Sequence, residues 1–449
     1  MNITLVRTGV GGISNAARAA LGGLLLVILL LKSTPAQYLE ATIPVGHLPA
    51  DVLWNPTSNK VYVANTESYD VTIIDGATNA VIGTVPVPAN SYLADLCWNS
   101  VENKVYCTST DPDWLNVIDG AGDSLLHRVR MRGGPTYMAY NATMNKLYVT
   151  CFDDYMVRVY DGAADTLVAE VWLGDLNFPH TLFWHPVSNR VFCTTWGNAD
   201  SVMVVDCALE QVVERREYGQ QPFTMCWNPV NGLVYMQSRY AIYALTPTGD
   251  SVVATLDGWA RDLCTVPFPN KLYASGRHPG LDVIDCDTHT VIDSVAAASG
   301  VLVCDTVRGK VYMAGDNWRC VSVIDARADT LLLSIPLLPG APRSIAWNST
   351  NGRVYVADDG ADVVYVIRDS STGIAEPEAR AIHAAQRAPT LCRGRLWLNG
   401  GGSVSLLDLT GRQVTVLKSG DNDLSRLRSG VYFVRHENGS HAVKVILQN

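Results

Sequence analysis

Two groups of residues in this 449-residue chain have side chains suited to recognition or catalysis. The first mixes aromatic rings with carboxylates in short polar stretches: Asp113-Trp114, Asp154-Tyr155, Trp196 and Trp318, with Asp111, Asp153, Asp358 and Asp359 close by. Ring faces take apolar contact and carboxylates accept hydrogen bonds, a pairing that suits a glycan or a peptide. Solvated loops have the same composition. The second group is His180, Arg261 and Arg343, with Asp51, Asp95 and Asp262 at a neighbouring position. An imidazole base beside guanidinium groups would serve a hydrolase or lyase that develops negative charge. A mutually neutralising polar rim or a small-anion site accounts for the same residues. The chain has no Gly-x-Ser-x-Gly elbow, His-Glu-x-x-His, phosphate loop or dinucleotide fingerprint. Its nine histidines are scattered, and no Cys/His cluster has metal-ligand spacing. No catalytic residue, metal or cofactor is therefore assigned.

A repeat must position these residues. Trp54/Tyr62/Asp75 recurs as Trp98/Tyr106/Asp119, Tyr140/Tyr148/Asp161, Trp184/Phe192/Asp206, Trp227/Tyr235/Thr246, Thr265/Tyr273/Asp285, Cys304/Tyr312/Asp325 and Trp347/Tyr355/Arg368. Units of about 40 residues belong to stacked or radial repeat architectures. Each copy reads as four short strands rich in Val, Ile and Tyr, such as 51–54, 60–64, 71–74 and 80–85. The middle two are almost wholly apolar, so both their faces need cover. Asn55-Pro56 and Asp75-Gly76 mark the turns, and the repeated Asp caps its own turn.

The predicted fold is all-β. Sheets covered on both faces, repeated eight times, make an eight-bladed β-propeller; a seven-bladed ring would leave one copy over. Leu39–Gly46 reads as a fourth strand with no partners before it, and the eighth copy stops after its third. Joining them closes the ring and removes its open edge. The loops between second and third strands vary from copy to copy and carry the aromatic-acidic group. The start of each first strand, where His180, Arg261 and Arg343 fall, should face the central channel.

The text from Asn59 to Asn65 and from Val71 to Gly76 resembles the YVTN-type β-propeller repeat of bacterial and archaeal surface and exported proteins. The likeness covers about residues 38–370 and is clearest in copies one to four and eight. It implies the fold and leaves the chemistry open.

Residues 1–36 read as a signal peptide, with Arg7 and Arg18 before the apolar run Leu21–Leu31 and small residues at 34–36. That run is too short to span a bilayer comfortably, and no membrane span is expected after its removal. Without it the formal charge is −12, with −16 on residues 37–390, which argues against a nucleic-acid partner. The eleven cysteines mostly replace small apolar residues of the repeat, as buried thiols do, leaving room for one or two adventitious disulfides.

A linker is expected over 371–390 and a small immunoglobulin-like β-sandwich over 391–449. Strands are expected at 395–398, 404–409, 413–417, 431–435 and 442–447. Leu406–Leu417, Leu427–Arg435 and His441–Leu447 resemble the C-terminal (Por-type) sorting domain of type IX secretion cargo. The usual Pro-Asn-Pro opening is absent, which puts the first strand in doubt. The resemblance implies delivery across the outer membrane through contacts with the secretion machinery. The expected function is a secreted or cell-surface, non-enzymatic module binding a surface glycan or protein. A lactonase-like hydrolase or lyase at the channel mouth, and a structural component of the cell envelope, are the alternatives.

Overall fold

The computed structural model describes residues 36–370, apart from 89–91, 198–199, 219–220, 277–279 and 316–317. It also describes the strands and a few linking residues between 390 and 447. The expected signal peptide and linker thus lie outside the described residues, except for Ala36 and Thr390 at their ends. Every element is a strand, and no helix among the described residues is long and apolar enough to cross a membrane.

The first copy shows how the sequence becomes a sheet. After β1 (Gln37–Pro44) come β2 (Pro49–Asn55), β3 (Lys60–Asn65), β4 (Asp70–Asp75) and β5 (Val81–Pro86), the last four antiparallel in chain order. Asn59, just before β3, is left-handed at φ 51°. Its counterparts are Asn103, Asn145, Asn189 and Asn270 at 50–56°, and Gly232, Gly309 and Gly352 at 64–76°. Asn and Gly are the residues that tolerate this backbone. Asp75 Oδ1 accepts the N–H groups of Ala77 and Thr78 at 3.0 and 2.7 Å, the expected turn cap. Asp119, Asp161, Asp206, Asp285 and Asp325 bond their turns in the same way. β3 and β4 are buried on both faces, whereas β5 is largely exposed.

Among the described residues eight such four-stranded sheets follow one another, as blades spanning 49–86, 92–130, 135–172, 177–217, 225–257, 260–295, 300–336 and 342–369. Their first strands touch in succession and the eighth touches the first. The ring is an eight-bladed β-propeller, and the seven-bladed alternative falls. β1 supplies the outer strand of blade 8, with Gln37 opposite Asp369 and Pro44 opposite Val363. This closing strand starts two residues earlier than the sequence pattern suggests. The apolar clusters lie between blades: Ile73 and Val85 of blade 1 pack with Leu96 and Val105 of blade 2.

Polar clasps lock the blades along the face that carries the Asn-Pro and Asp-Gly turns, here the lower face. Lys104 Nζ donates to Gly162 O, Ala163 O and Asp165 Oδ2 of the next blade at 3.1, 2.9 and 2.7 Å, and Tyr106 OH to Asp165 Oδ1 at 2.8 Å. Lys60 with Tyr62, Lys146 with Tyr148, and Lys271 with Tyr273 repeat the arrangement on Asp123 and Gly120, Glu210, and Asp329. Blade 4 has Phe192 instead of Tyr. There Arg190 reaches Thr248 O, and Gly249 leaves room for the ring, since a Cβ would lie 2.9 Å from Phe192 Cε1. Between blades 5 and 6 Asn231 donates to Cys286 O at 3.1 Å.

Blade 8 has no turn before its outer strand, so Asp369 serves instead. It accepts from Lys310 Nζ at 3.0 Å, from Tyr312 OH, and from Gln37 Nε2 at 2.9 Å. Arg353 then closes blade 8 on blade 1 through Gly76 O and Ala77 O at 2.7 and 2.8 Å, and grips Glu40 of β1 with two N–H groups. Hydrogen bonds from Arg353 hold the Glu40 carboxyl below its ordinary range. This lock therefore persists until the pH falls through that lowered value.

The C-terminal residues form a second compact unit, 374–449. Its five-stranded sheet runs Thr390–Cys392, Ala442–Leu447, Gly430–His436, Val404–Leu407 and Gln413–Leu417, and Arg395–Leu398 pairs with Gly420–Asp423. Thr390–Cys392 lies parallel to Ala442–Leu447, so a short first strand is present where the sequence left it in doubt.

Asp369→Ala should strip Lys310, Tyr312 and Gln37 of one acceptor in a buried setting. Urea unfolding should register a loss of about 3 kcal/mol, and hydrogen exchange should quicken first in β1 and Val363–Asp369. Asp75→Ala, at an exposed turn, should lose about 1 kcal/mol or less.

Candidate functional site

The opposite, upper face carries the loops between second and third strands and the connections between blades. Blades 2 to 4 concentrate most of the expected residues there. Asp113 Oδ2 accepts the Gly134 N–H, in the connection that leads into blade 3, at 3.3 Å. Trp114 opens its strand with the Arg130 guanidinium 5.0 Å over its ring. Asp154 accepts from Arg158 Nη2 at 2.6 Å, while Arg158 Nε donates to Glu170 at 2.8 Å, so this carboxylate is held by an internal network. Tyr155 is left-handed at φ 55°, sets its ring edge-on against Phe178 at 4.9 Å, and accepts Leu173 N–H through its carbonyl. Trp318, on blade 7, is 46% exposed and stands apart from this group around the ring.

His180 stacks on Trp196, ring centroids 3.9 Å apart and planes 18° from parallel. Tyr137 and Phe223 complete an aromatic cluster across blades 3, 4 and 5, and Trp196 Nε1 donates to Pro222 O at 3.0 Å. Burial lowers the imidazole to about 4, so it is neutral at physiological pH and a weak base. Arg343 is the second residue of the first strand of blade 8, four blades round the ring from His180 on blade 4, and Arg261 is on blade 6. Arg343 is exposed and Arg261 half-buried. Arg343 still bears on Tyr137 of blade 3, which burial pushes up, Asp95 pushes further and Arg343 pulls back. The structure groups His180 with the rings of Tyr137, Trp196 and Phe223.

Asp51, Asp95 and Asp262 do a different task from an ion site. Each carboxylate accepts a backbone N–H from the following blade: Leu96 at 3.0 Å, Met138 at 2.7 Å and Leu302 at 2.8 Å. Ser344 of blade 8 donates to Asp51 at 2.7 Å, Thr224 to Asp262 at 3.2 Å, and Thr181 bonds Phe223 O. This is a second, inner ring of clasps around the axis. Burial raises all three carboxyls, and Asp51 drives Asp95 higher still. Among the described residues no group of three or more His, Cys, Asp or Glu side chains is placed to hold a metal ion, and ten cysteines are free thiols.

Sequence reasoning missed a cleft at the rim between blades 3 and 4, lined by Trp172, Gly174, Asp175, Asn177, Met203 and Arg215 among others. Trp172 ends the outer strand of blade 3 opposite Met156, directly after Tyr155. The signal was a Trp where the matching outer-strand positions carry Pro86, Arg130, Glu217, Asp257, Ala296 and Pro336.

For a carboxyl raised in the fold, stability is fully present below the unfolded value near 3.9 and is lost as pH rises through the folded value. Asp95→Asn keeps an acceptor for Met138 N–H but removes the charge. The variant should gain stability relative to the parent as pH rises from 4 to 8 in denaturant titrations. An unchanged pH profile would show that Asp95 is not under this strain. The His180 ring resonances should show no titration between pH 8 and 5.5.

No family model matches the chain, and no curated protein resembles it in sequence. Solved structures do resemble it in shape. The C-terminal WD40 domain of Sif2 superposes with a TM-score of 0.61 at 12% identity, over 74% of this chain and 98% of that one. The computationally designed Ika8 protein gives 0.59 at 13%, over 72% and 98%. Raptor of Chaetomium thermophilum gives 0.52 at 13%, over 74% of this chain and 29% of its own. At such identities the likeness is one of fold, that of a β-propeller scaffold.

Proposed function

We propose that this chain is an exported, non-enzymatic binding module whose ligand, a surface glycan or protein, meets the upper face of the propeller. The asymmetry between the two faces carries the reading. On the lower face the repeated Lys, Tyr, Asn and Asp side chains are committed to clasps and turns, from Lys60–Asp123 round to Tyr355–Asn79. Little is left there to recognise a partner. On the upper face the loops differ in each blade and display rings such as Trp318 on a rigid frame, which is where binding residues usually lie.

The neutral, aromatic-stacked His180, a weak base at physiological pH, favours binding over hydrolysis. The likeness to YVTN-type repeats and to type IX sorting domains supports export, with the tail as the address. Residues 391–449 carry +4 against −16 for 37–390, which suits a tail handled separately from the ring.

Truncation after Pro389 should leave a folded propeller by circular dichroism but abolish its appearance at the cell surface. A tail-less protein still delivered there would overturn the sorting role. Glycan-array and pull-down screens should yield a ligand whose binding falls on Trp114→Ala or Trp196→Ala. A ligand indifferent to every upper-face substitution would overturn the placement.

A further inference from the structure

We propose that the cleft between blades 3 and 4 is a sugar-binding subsite that takes one neutral pyranose unit of an oligosaccharide. The inference rests on the upper face being the binding face, and it names the place and the ligand class there.

Four observations converge on this cleft. Trp172 is 58% exposed, although its side chain is large and apolar and its neighbours Val171 and Leu173 are buried. An indole held open at the mouth of a cleft offers a flat face to the C–H side of a pyranose ring. The cavity is about 470 Å3, within the size range of small-molecule sites. Gly174, at φ 96°, opens the floor: a Cβ there would lie 2.9 Å from Asn177 Nδ2 and 4.0 Å from Arg215 Nη1. Any side chain at 174 would fill the space between them and strain the backbone.

The fourth observation is Asn177. It is 2% exposed, lines the cleft, and donates through Nδ2 to Leu173 O at 3.1 Å, yet its Oδ1 has no hydrogen-bond partner. A buried amide oxygen left without a donor is unfavourable and marks a place where a hydroxyl would be welcome. Asp175 adds a carboxylate acceptor. Arg215 adds a guanidinium engaged by Glu217 at 3.6 Å, a separation too long for a tight pair. Donors and acceptors thus surround a ring face, as a polyhydroxylated ring requires. One guanidinium set against Asp175 and Glu217 disfavours a phosphate or carboxylated sugar and fits a neutral one.

Isothermal titration of the full-length protein with tetramers of glucose, mannose, galactose and N-acetylglucosamine tests the assignment. At least one tetramer should bind. Trp172→Ala should weaken it about tenfold, the worth of one aromatic stacking contact, whereas Trp172→Phe should keep most of the affinity. Arg215→Met and Asp175→Asn should each weaken it by a smaller factor. Trp172 is exposed enough that its replacement should leave the melting temperature unchanged. If no tetramer binds, the pyranose assignment is overturned. If a tetramer binds and Trp172→Ala leaves its affinity intact while Tyr155→Ala reduces it, the cleft is wrong and the upper-face reading stands.

Discussion

The ring depends on one interaction made at six of its eight blade junctions: a basic side chain and a tyrosine hydroxyl from one blade grip acceptors that close the next. Lys104 and Tyr106 on Gly162 and Asp165 show it in full. A buried Tyr hydroxyl and a nearly buried Lys both need acceptors, and the turn supplies backbone carbonyls and a carboxylate together. Apolar packing alone would let neighbouring sheets slide, because it has no directional preference. The clasp fixes the register between blades. Where it loses a member the turn changes with it: Phe192 lacks the hydroxyl, and the facing turn carries Gly249 against the ring.

Closure puts the heaviest demand on this interaction. The outer strand of blade 8 comes from the other end of the propeller sequence, so no turn is available to blade 7. Asp369 takes over and binds β1 through Gln37 in the same stroke. Long-range strand pairing and clasp therefore share a carboxylate, and neither is complete without the other. The inner ring of Asp51, Asp95 and Asp262 works in the opposite electrostatic sense. Those carboxylates join blades through backbone N–H groups but are raised by burial, and Asp51 pushes Asp95 higher still. Most outer clasps set a Lys against a carboxylate, whereas the inner carboxylates have backbone N–H groups for partners, and Asp51 and Asp95 lie close enough to repel.

This division of labour shapes where recognition can occur. Side chains that hold the ring cannot also vary to suit a ligand, and the lower face is full of them. The upper face has looser obligations, although not all of its residues are free. Arg158 draws Asp154 into an internal network, and His180 is covered by Trp196. What remains open lies further out, where blade 3 ends in Trp172 and blade 4 brings up Arg215.

The sequence by itself determined the strands, the turns and the count of blades. Their signals are local: a Tyr or Phe every 40 or so residues, Asn or Gly where the backbone is left-handed, Asp where a turn needs a cap, and a lone outer strand at the start matched by a missing one at the end. The Lys or Arg two residues before the aromatic in every copy but the fifth was visible too, but its partners lie a whole blade away, or at the other end of the propeller for Arg353, so its meaning was not. Tertiary structure alone decided which carboxylates became clasps and which stayed at the surface. Asp51 and Asp154 look equally available in the chain, yet one joins blades at the axis and the other pairs with Arg158. It also decided that His180 meets Tyr137, Trp196 and Phe223, because blade order around the ring, not residue type, sets which neighbours pack together. The cleft beside Trp172 arises from two blades approaching each other. No single repeat contains it, and for that reason no reading of one repeat could have found it.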